Sequence, residues 1–178
     1  MGWVMPVLLK DIEDLSGLAM FKSVLIVPCR FCPAASMAVR RNQPYFEVLT
    51  NFMKTASYEE LIDDIQAKLE SMGIKADIFR SKIIHQFVVC MWTVKRRKKL
   101  LKYAENYEAV MVLGCEAAVQ MVYDSVESAD CKVFQGMRSE GIMTVNPSFQ
   151  RPCNISLELS KLIPLVHRAE DPVPWSSL

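Results

Sequence analysis

A Cys-x-x-Cys pair formed by Cys29 and Cys32 is the feature with the clearest chemical potential. It follows the apolar run 24–27, whose β-branched residues predict a buried parallel strand. Two thiols at this spacing suit a metal ion, an iron–sulfur cluster or a thiol redox reaction. Pro33 fits the first turn of a following helix, and the start of a helix lowers the pKa of a neighbouring thiol. Buried cysteines that act only as small apolar residues are the alternative.

Two more cysteines are predicted to lie at the ends of strands. Cys90 follows the apolar stretch 83–89, and Cys115 follows the stretch 109–114. Because the carboxyl ends of parallel strands share one edge of an open sheet, we expect both thiols to join the Cys-x-x-Cys pair there. Four thiolates suit a [4Fe–4S] cluster, and they suit a structural zinc ion equally well.

The turn around Cys115 supplies two further candidate residues for binding a cofactor, Gly114 and Glu116. Glycine lets the backbone approach a bound group closely. The backbone N–H groups at the start of the predicted helix, beside Glu116, favour an anion such as a thiolate-bound cluster. An ordinary tight turn without a ligand explains the same residues.

The remaining two cysteines are predicted to lie apart from these four. Cys131 precedes a predicted strand, at the opposite edge of the sheet, and we interpret it as a core residue. Cys153 follows Pro152 in a loop near the end of the chain, where it is either a fifth ligand or has no role.

The overall composition excludes several classes of protein. The chain has 178 residues, of which 51% are hydrophobic, and a formal net charge of +1. A charge this small argues against nucleic acid as a partner, and no apolar run approaches the ~20 residues of a transmembrane helix. The N-terminus lacks the pattern of a signal peptide, so we expect a cytoplasmic protein. In that reducing compartment, clustered thiols bind metal or do redox chemistry more often than they form disulfides.

A basic run at 95–99 is the strongest local charge. We interpret it as the solvated face of a helix and expect Lys95, Arg97 and Lys98 to be largely exposed. The alternative is a docking patch for an acidic protein or an anionic cofactor, which would border the thiols because the run follows Cys90.

The elements that would position these residues alternate between strand and helix patterns. This alternation predicts an α/β fold with a doubly wound, mostly parallel sheet and helices on both faces. We expect an α/β cysteine-rich domain at 21–168, between an N-terminal extension at 1–20 and a loose C-terminal tail at 169–178.

Three helices matter for the comparison with the structure. The first is a short helix from Leu8 to Leu18. The second is the helix with the best pattern, which Ser57 opens in a capping box with Glu60. The third is predicted to run from Leu157 to a break at Pro164.

Over 22–150 the sequence resembles a known family. Its segment 24–32, the lone Cys90 before a helix, and the segments 109–120 and 132–143 are similar to the small cysteine-rich iron–sulfur subunit of anaerobic methylenetetrahydrofolate reductases. That subunit also occurs as the C-terminal domain of such reductases. The resemblance implies an α/β domain whose cysteines bind an iron–sulfur cluster and which serves a reductase partner in one-carbon metabolism.

The sequence departs from this family at two places. The family often has a third cysteine four positions after the second, where this chain has Ser36. The family also ends in a cysteine-rich segment, of which only Cys153 remains here. These departures limit the chain to one cluster, and the reductase activity itself is not carried over.

The leading hypothesis is an iron–sulfur accessory or electron-transfer protein of anaerobic one-carbon metabolism. It would bind a [4Fe–4S] cluster and act with a reductase or methyltransferase subunit, through the ligands Cys29, Cys32, Cys90 and Cys115. One alternative is a zinc-stabilised module for protein interactions. The other is a thiol oxidoreductase that uses Cys29 and Cys32 alone. A homo-oligomer is compatible with each hypothesis.

Overall fold

A computed structural model describes residues 3–47, 54–80, 87–150 and 153–165. The strands are β1 (Trp3–Asp11), β2 (Ser23–Pro28), β3 (Phe46–Glu47), β4 (Lys75–Ile78), β5 (Ala109–Leu113), β6 (Lys132–Gln135), β7 (Met137–Gln150) and β8 (Asn154–Pro164). The α-helices are α1 (Cys32–Arg41), α2 (Ala56–Ser71), α3 (Val94–Ala104) and α4 (Glu116–Val126). Short 3-10 helices lie at Ser16–Leu18 and Val89–Met91.

The parallel sheet positions the cysteines. Its strand order is β4-β2-β5-β6, and each neighbouring pair is parallel. All five residues of β5 are buried, and β2 is buried from Val24 onward, as expected for central strands covered on both faces. The mixed α/β class predicted from the sequence is confirmed.

The strand order places β2 and β5 side by side although β4 lies between them in the sequence. The chain passes from β2 to β4 on one flank of β2, and then returns across the sheet to β5 on the other flank. The order of the strands therefore reverses between β2 and β5. Ligands of open α/β sheets bind at this kind of reversal, outside the carboxyl ends of the two strands.

A second sheet is antiparallel and was not predicted. Its order is β1-β7-β8-β3, so the expectation of one mostly parallel sheet is wrong for half of the strands. Strand β1 pairs with β7 from Trp3 to Asp11, which corrects the predicted helix from Leu8 to Leu18. Two register irregularities around Leu8 break the alternation of apolar and polar residues, and both Leu8 and Leu9 are buried.

The predicted helix from Leu157 onward is also wrong, because this segment forms β8. Strand β8 pairs with β7 in a long hairpin. Its register shifts by one residue near Ser160, so the strand loses strict alternation and its apolar residues fall at spacings that resemble a helix. The predicted tail at 169–178 lies outside the described residues.

Helix α2 begins earlier than its capping box predicted. Thr55 is the N-cap residue, and its hydroxyl donates to the carbonyl oxygen of Tyr45. Ser57 is buried in the first turn, and its hydroxyl has no partner among the described residues. The apolar face of the helix is buried and consists of Leu61, Ile62, Ile65 and Leu69. The helix ends before Gly73, whose φ is +80°.

Ser36 connects the two sheets through α1. Its hydroxyl accepts a hydrogen bond from the N–H of Leu9 at 2.9 Å and donates to the carbonyl oxygen of Cys32 at 2.8 Å. Ser36 occupies the position where the family that the sequence resembles often has a third cysteine. In this chain its hydroxyl holds β1 against α1. None of the helices in the described ranges is both long enough and apolar enough to cross a membrane.

Candidate metal centre

Cys29 and Cys115 lie side by side where the strand order reverses. Cys29 directly follows Pro28 at the end of β2, and Cys115 follows the end of β5 after one residue, Gly114. The last residues of the two strands, Pro28 and Leu113, pair with each other. The N–H of Cys29 donates to the carbonyl oxygen of Leu113 at 2.9 Å, and the hydroxyl of Tyr58 donates to the same oxygen at 3.1 Å. The end of β5 thus fixes the backbone of Cys29 and anchors α2 above it.

Gly114 makes this close approach possible. A Cβ atom built on Gly114 would lie 2.8 Å from the Cβ of Ala118 and 3.4 Å from the Cβ of Cys29. The first distance is too short for two carbon atoms, so a larger residue would push apart the strand end and the start of α4. The sequence identified Gly114 as a site of close backbone approach, and in the structure it lies against a neighbouring strand end and α4.

Cys32 reaches the same place from the start of α1. It is the first residue of that helix, and its thiol donates a hydrogen bond to the sulfur of Cys115. Cys115 is the N-cap residue of α4, without a regular side-chain capping hydrogen bond. The Cys115 sulfur therefore lies between a thiol donor and the N–H groups of Ala117 and Ala118 at the helix start.

Cys90 approaches from a third segment. It lies in the 3-10 helix Val89–Met91 rather than directly after a strand, which corrects its predicted placement. Of the stretch 83–89, where the preceding strand is predicted, residues 83–86 lie outside the described residues. This turn packs against α4. A negative charge on Cys90 raises the pKa of Cys29 and of Cys32. A negative charge on Cys115 in turn raises the pKa of Cys90.

The segment that carries Cys90 also covers Cys29. The thiol of Cys29 donates to the carbonyl oxygen of Phe87 at 3.6 Å. The ring of Phe87 packs against Phe46 of β3, with centroids 5.5 Å apart. Cys29 and Cys32 are 3% and 6% exposed, and Cys115 is 8% exposed, so water has little access to these sulfurs.

The structure gives the four thiols different acidities. Burial raises the pKa of Cys29 to about 11, against the opposing effect of the N–H groups of Val89 and Phe31. Burial also raises the pKa of Cys90. Donation to Cys115 raises the pKa of Cys32, and the same hydrogen bond lowers the pKa of Cys115 to about 6. Cys115 is therefore the thiol of this pair that ionises more readily.

The four sulfurs interact, but they do not form a finished metal cage. No group of three or more His, Cys, Asp or Glu residues within the described ranges is already arranged to hold a metal ion. In the metal-free protein, Cys32 and Cys115 share a proton through their hydrogen bond. Binding a metal would require loss of that proton and rearrangement of the thiol side chains.

A buried hydroxyl that lies under the influence of the Cys32 and Cys29 charges has no partner among the described residues. It belongs to Tyr45, which is 3% exposed. Burial raises its pKa above the usual range, and the charges of Cys32 and Cys29 raise it further. A buried donor without an acceptor is costly, and an anionic group held by the thiols would supply the acceptor.

A buried ion pair holds the loop between Cys29 and Cys32. Arg30 is 8% exposed and binds the carboxylate of Glu59 on α2 through two contacts, of 2.6 and 2.9 Å. Lys54 adds a third contact to Glu59 at 3.3 Å. Sequence reasoning missed Arg30, Glu59 and Tyr45. The position of Arg30 inside the Cys-x-x-Cys loop was the available signal for the first of them.

The structure places the remaining candidate residues in three different positions. The carboxylate of Glu116 accepts hydrogen bonds from Gln135 and Ser139, so it ties the start of α4 to β6 and β7. Cys131 is half-buried and directly precedes β6, as expected. Cys153 is exposed, with a left-handed φ of 68°, in the turn that joins β7 to β8.

A cavity of about 540 Å³ lies away from the thiol group. It is lined by the end of α4, the start of β6 and the segment before β2, and includes Cys131 and Phe21. These are the amino ends of the parallel strands, whereas the four thiols lie at the carboxyl ends. Position and chemistry both favour the thiol group as the functional site.

The basic run is only partly exposed. Lys95 and Lys98 are exposed, as predicted, but Arg97 is half-buried, and its Nε has no partner among the described residues. The expectation that all three side chains are largely exposed is therefore wrong for Arg97.

The chain matches no protein-family model, and no similar curated protein or solved structure was found. The resemblance to the methylenetetrahydrofolate reductase subunit therefore rests on the sequence motifs alone.

Proposed function

We propose that this chain binds an iron–sulfur cluster through four thiolates, those of Cys29, Cys32, Cys90 and Cys115. The observation that carries the proposal is the meeting of three separate segments where the strand order reverses. Cys29 is hydrogen-bonded to the end of β5, and the 3-10 helix that contains Cys90 packs against α4, which Cys115 caps. Four cysteine thiolates are the usual ligand set of a [4Fe–4S] cluster.

The surroundings suit a redox cofactor. A bound cluster would supply one-electron transfer. Burial of Cys29 and Cys32 keeps water away from the sulfurs, and the N–H groups of Val89 and Phe31 are directed at Cys29. The hydroxyl of Tyr45 is the remaining donor. Burial and hydrogen bonds to sulfur are among the factors that set the reduction potential of a cluster.

The proposed role is that of an accessory or electron-transfer subunit. The family resemblance suggests a reductase or methyltransferase partner in anaerobic one-carbon metabolism, and we carry that suggestion only as part of this proposal. We also infer that the pairs α1–α2 and α3–α4 cover opposite faces of the parallel sheet, because right-handed connections to the two flanks of β2 require it. The thiol group would then lie at the end of a three-layered unit.

Serine variants of the four cysteines, made one at a time and purified without oxygen, test the ligand set. Ligands of a shared centre are interdependent, so we expect each variant to lose most of its iron and acid-labile sulfide. Cys131→Ser is the matched control, because Cys131 is half-buried at the opposite edge of the sheet, and it should keep its cluster. Equal iron content in all five variants would contradict the proposal, and zinc without sulfide would favour a zinc-stabilised interaction module.

A second candidate function is thiol redox chemistry by Cys32 and Cys115. The hydrogen bond between these thiols and the lowered pKa of Cys115 are the features of a reactive pair. The thiolate of Cys115 would attack a disulfide of a partner protein, and Cys32 would then displace the mixed disulfide. Two thiols would be oxidised to one disulfide, while the partner's disulfide would be reduced to two thiols.

The two candidates differ in which cysteines they need. The redox pair requires Cys32 and Cys115 and is indifferent to Cys90 and Cys29, whereas the Cys-x-x-Cys motif of the sequence predicts a pair of Cys29 and Cys32. Disulfide reduction that survives in Cys90→Ser and disappears in Cys115→Ser would favour the redox candidate. A cluster that is lost in both variants would exclude it as the main function.

A further inference from the structure

Strand β8 leaves most of one edge of the antiparallel sheet without a partner strand. Its inner edge pairs with β7 from Asn154 to Pro164. On its outer edge, β3 pairs only with Asn154 and Ile155, and no other strand of the described ranges continues that edge. Unpaired backbone N–H and C=O groups along such an edge form a template for another strand.

The uncovered part of β8 also exposes apolar side chains. Leu159 and Leu162 are 43% and 39% exposed, although each lies opposite a buried residue of β7 on the core face of the sheet. Ile163, on the other face, is 52% exposed. Strand β7 has neighbours on both sides and shelters its core-facing residues, so the exposure in β8 follows from the missing neighbour.

A bulge in β8 places two opposite charges on one face. Lys161 pairs across the hairpin with Thr144, and Glu158 pairs with Asn146. Thr144 and Asn146 are alternate residues of β7 and share a face. Without the extra residue at Ser160, positions three apart in β8 would point to opposite faces. Neither Glu158 nor Lys161 forms an ion pair with any described residue.

We propose that a second copy of this chain pairs antiparallel with the outer edge of β8. In the two-fold register centred between Leu159 and Ser160, Glu158 lies opposite the partner's Lys161, and the reciprocal pair forms by symmetry. The same register sets Leu157 opposite the partner's Leu162. Two four-stranded sheets then join into one continuous sheet across the dimer.

The charges that favour this register also disfavour pairing with other strands. A lysine, a proline or a bulge at the edge of a sheet hinders pairing with unrelated strands. Strand β8 has all three: Lys161, Pro164 and the bulge at Ser160. A strand without an acid at the matching position would leave Lys161 without a counter-charge at the junction. The edge is thus open to a copy of itself and protected against most other strands.

Sedimentation equilibrium on charge-reversal variants of the full chain tests this pairing. We expect the wild type to form a dimer of twice 20.3 kDa at micromolar concentration. Lys161→Glu sets like charges opposite each other at two symmetric positions and should raise the dimer dissociation constant by about tenfold or more. Glu158→Lys should have the same effect, and the double variant Glu158→Lys/Lys161→Glu should restore the dimer.

The recovery in the double variant separates pairing from folding. Both side chains are exposed, so each single variant should keep the circular dichroism spectrum of the folded wild type. Lys98→Glu, on the exposed side of α3, is the control and should not change the dissociation constant. A monomeric wild type, a dimer that is indifferent to the single reversals, or a double variant that stays dissociated would each overturn the proposal.

Discussion

The thiol of Cys32 donates a hydrogen bond to the sulfur of Cys115, although one residue begins α1 and the other caps α4. This contact joins the segments that follow β2 and β5, at the place where the strand order reverses. It also makes the two thiols chemically unequal, because the donor becomes harder to ionise and the acceptor easier. The relative reactivity of these two thiols follows from that inequality.

The first prediction concerns the alkylation of the reduced, metal-free protein. Cys115, with a pKa of about 6, should react faster than the similarly buried Cys29 and Cys32, and its rate should rise with pH through that value. Cys29, with a pKa of about 11, should remain unreactive at neutral pH. In Cys32→Ala the donor is lost, so the Cys115 inflection should move up toward the ordinary thiol value of 9.0. Mass spectrometry of labelled peptides over pH measures both, and an unmoved inflection would show that the hydrogen bond is not the cause.

The second prediction concerns the unpaired hydroxyl of Tyr45. Tyr45→Phe removes an unsatisfied buried donor, so the metal-free protein should gain about 1 kcal/mol in its free energy of unfolding. In the loaded protein the same change removes a hydrogen bond to the bound group, so the midpoint potential should fall. Denaturant melts and a redox titration measure the two effects.

Tyr107→Phe is the matched control for this variant. The hydroxyl of Tyr107 donates to Asp77 at 2.9 Å and is therefore satisfied. Its loss should cost about 0.5–1.5 kcal/mol and leave the potential unchanged. If Tyr45→Phe lost stability as the control does, the hydroxyl would have a partner, and its role toward a ligand would be excluded.

The third prediction concerns Gly114. In Gly114→Ala the new methyl carbon would meet the Cβ of Ala118 at 2.8 Å, so α4 must shift away from the end of β5. We expect a loss of about 1–3 kcal/mol in stability and a lower iron content, since the shift moves Cys115. Gly17→Ala, where nothing lies within 4 Å of the new carbon, should change neither. A variant with native iron content would show that the site tolerates this displacement.

The fourth prediction concerns the ion pair of Arg30 and Glu59. Burial raises the pKa of Glu59, but the hydrogen bond and charge of Arg30 outweigh it and hold the pKa below the ordinary 4.5. The stabilisation is therefore complete above pH 4.5 and is lost as the pH falls through the lowered value. Arg30→Ala should cost about 2–3 kcal/mol at pH 7.

The pH dependence of that variant is the sharper measurement. The difference in unfolding free energy between Arg30→Ala and the wild type should shrink when the pH is lowered below 4.5. Arg41→Ala breaks the exposed pair with Glu60, whose side chain is 61% exposed, and should cost less than about 1 kcal/mol. Equal costs for the two arginine variants would contradict the structural role given to Arg30.

The sequence predicts a strand or helix correctly where the element has a clear pattern of its own and is also buried in the core. The apolar runs of β2 and β5 indicate central parallel strands, as observed. Cys29 and Cys115, which come after these strands, lie at the same edge of the sheet, as the sequence predicts. Helix α4 begins at Glu116, beside which the sequence predicts the start of a helix, and Ala118, Val119 and Val122 follow a helical period and are buried. In each case local pattern and tertiary burial agree, so the pattern was sufficient.

The predictions that proved wrong concern residues whose surroundings depend on distant parts of the chain. Strand β8 lacks a neighbour on its outer edge and contains a bulge, so its residues do not alternate in burial and could not be distinguished from a helix. Cys90 reaches the site through a 3-10 helix that packs on α4, and no local pattern encodes that contact. The ion pair of Arg30 with Glu59 likewise depends on the docking of α2.

Iron and acid-labile sulfide per chain, measured together with a Mössbauer spectrum on wild-type protein purified without oxygen, test the central claim most directly. Binding through the four thiolates predicts about four iron and four sulfide per chain and the spectrum of a [4Fe–4S] cluster. The signal should be absent from Cys115→Ser and present in Cys131→Ser. Wild-type protein that contains no iron after anaerobic purification, and that forms no cluster when supplied with iron and sulfide, would contradict the claim.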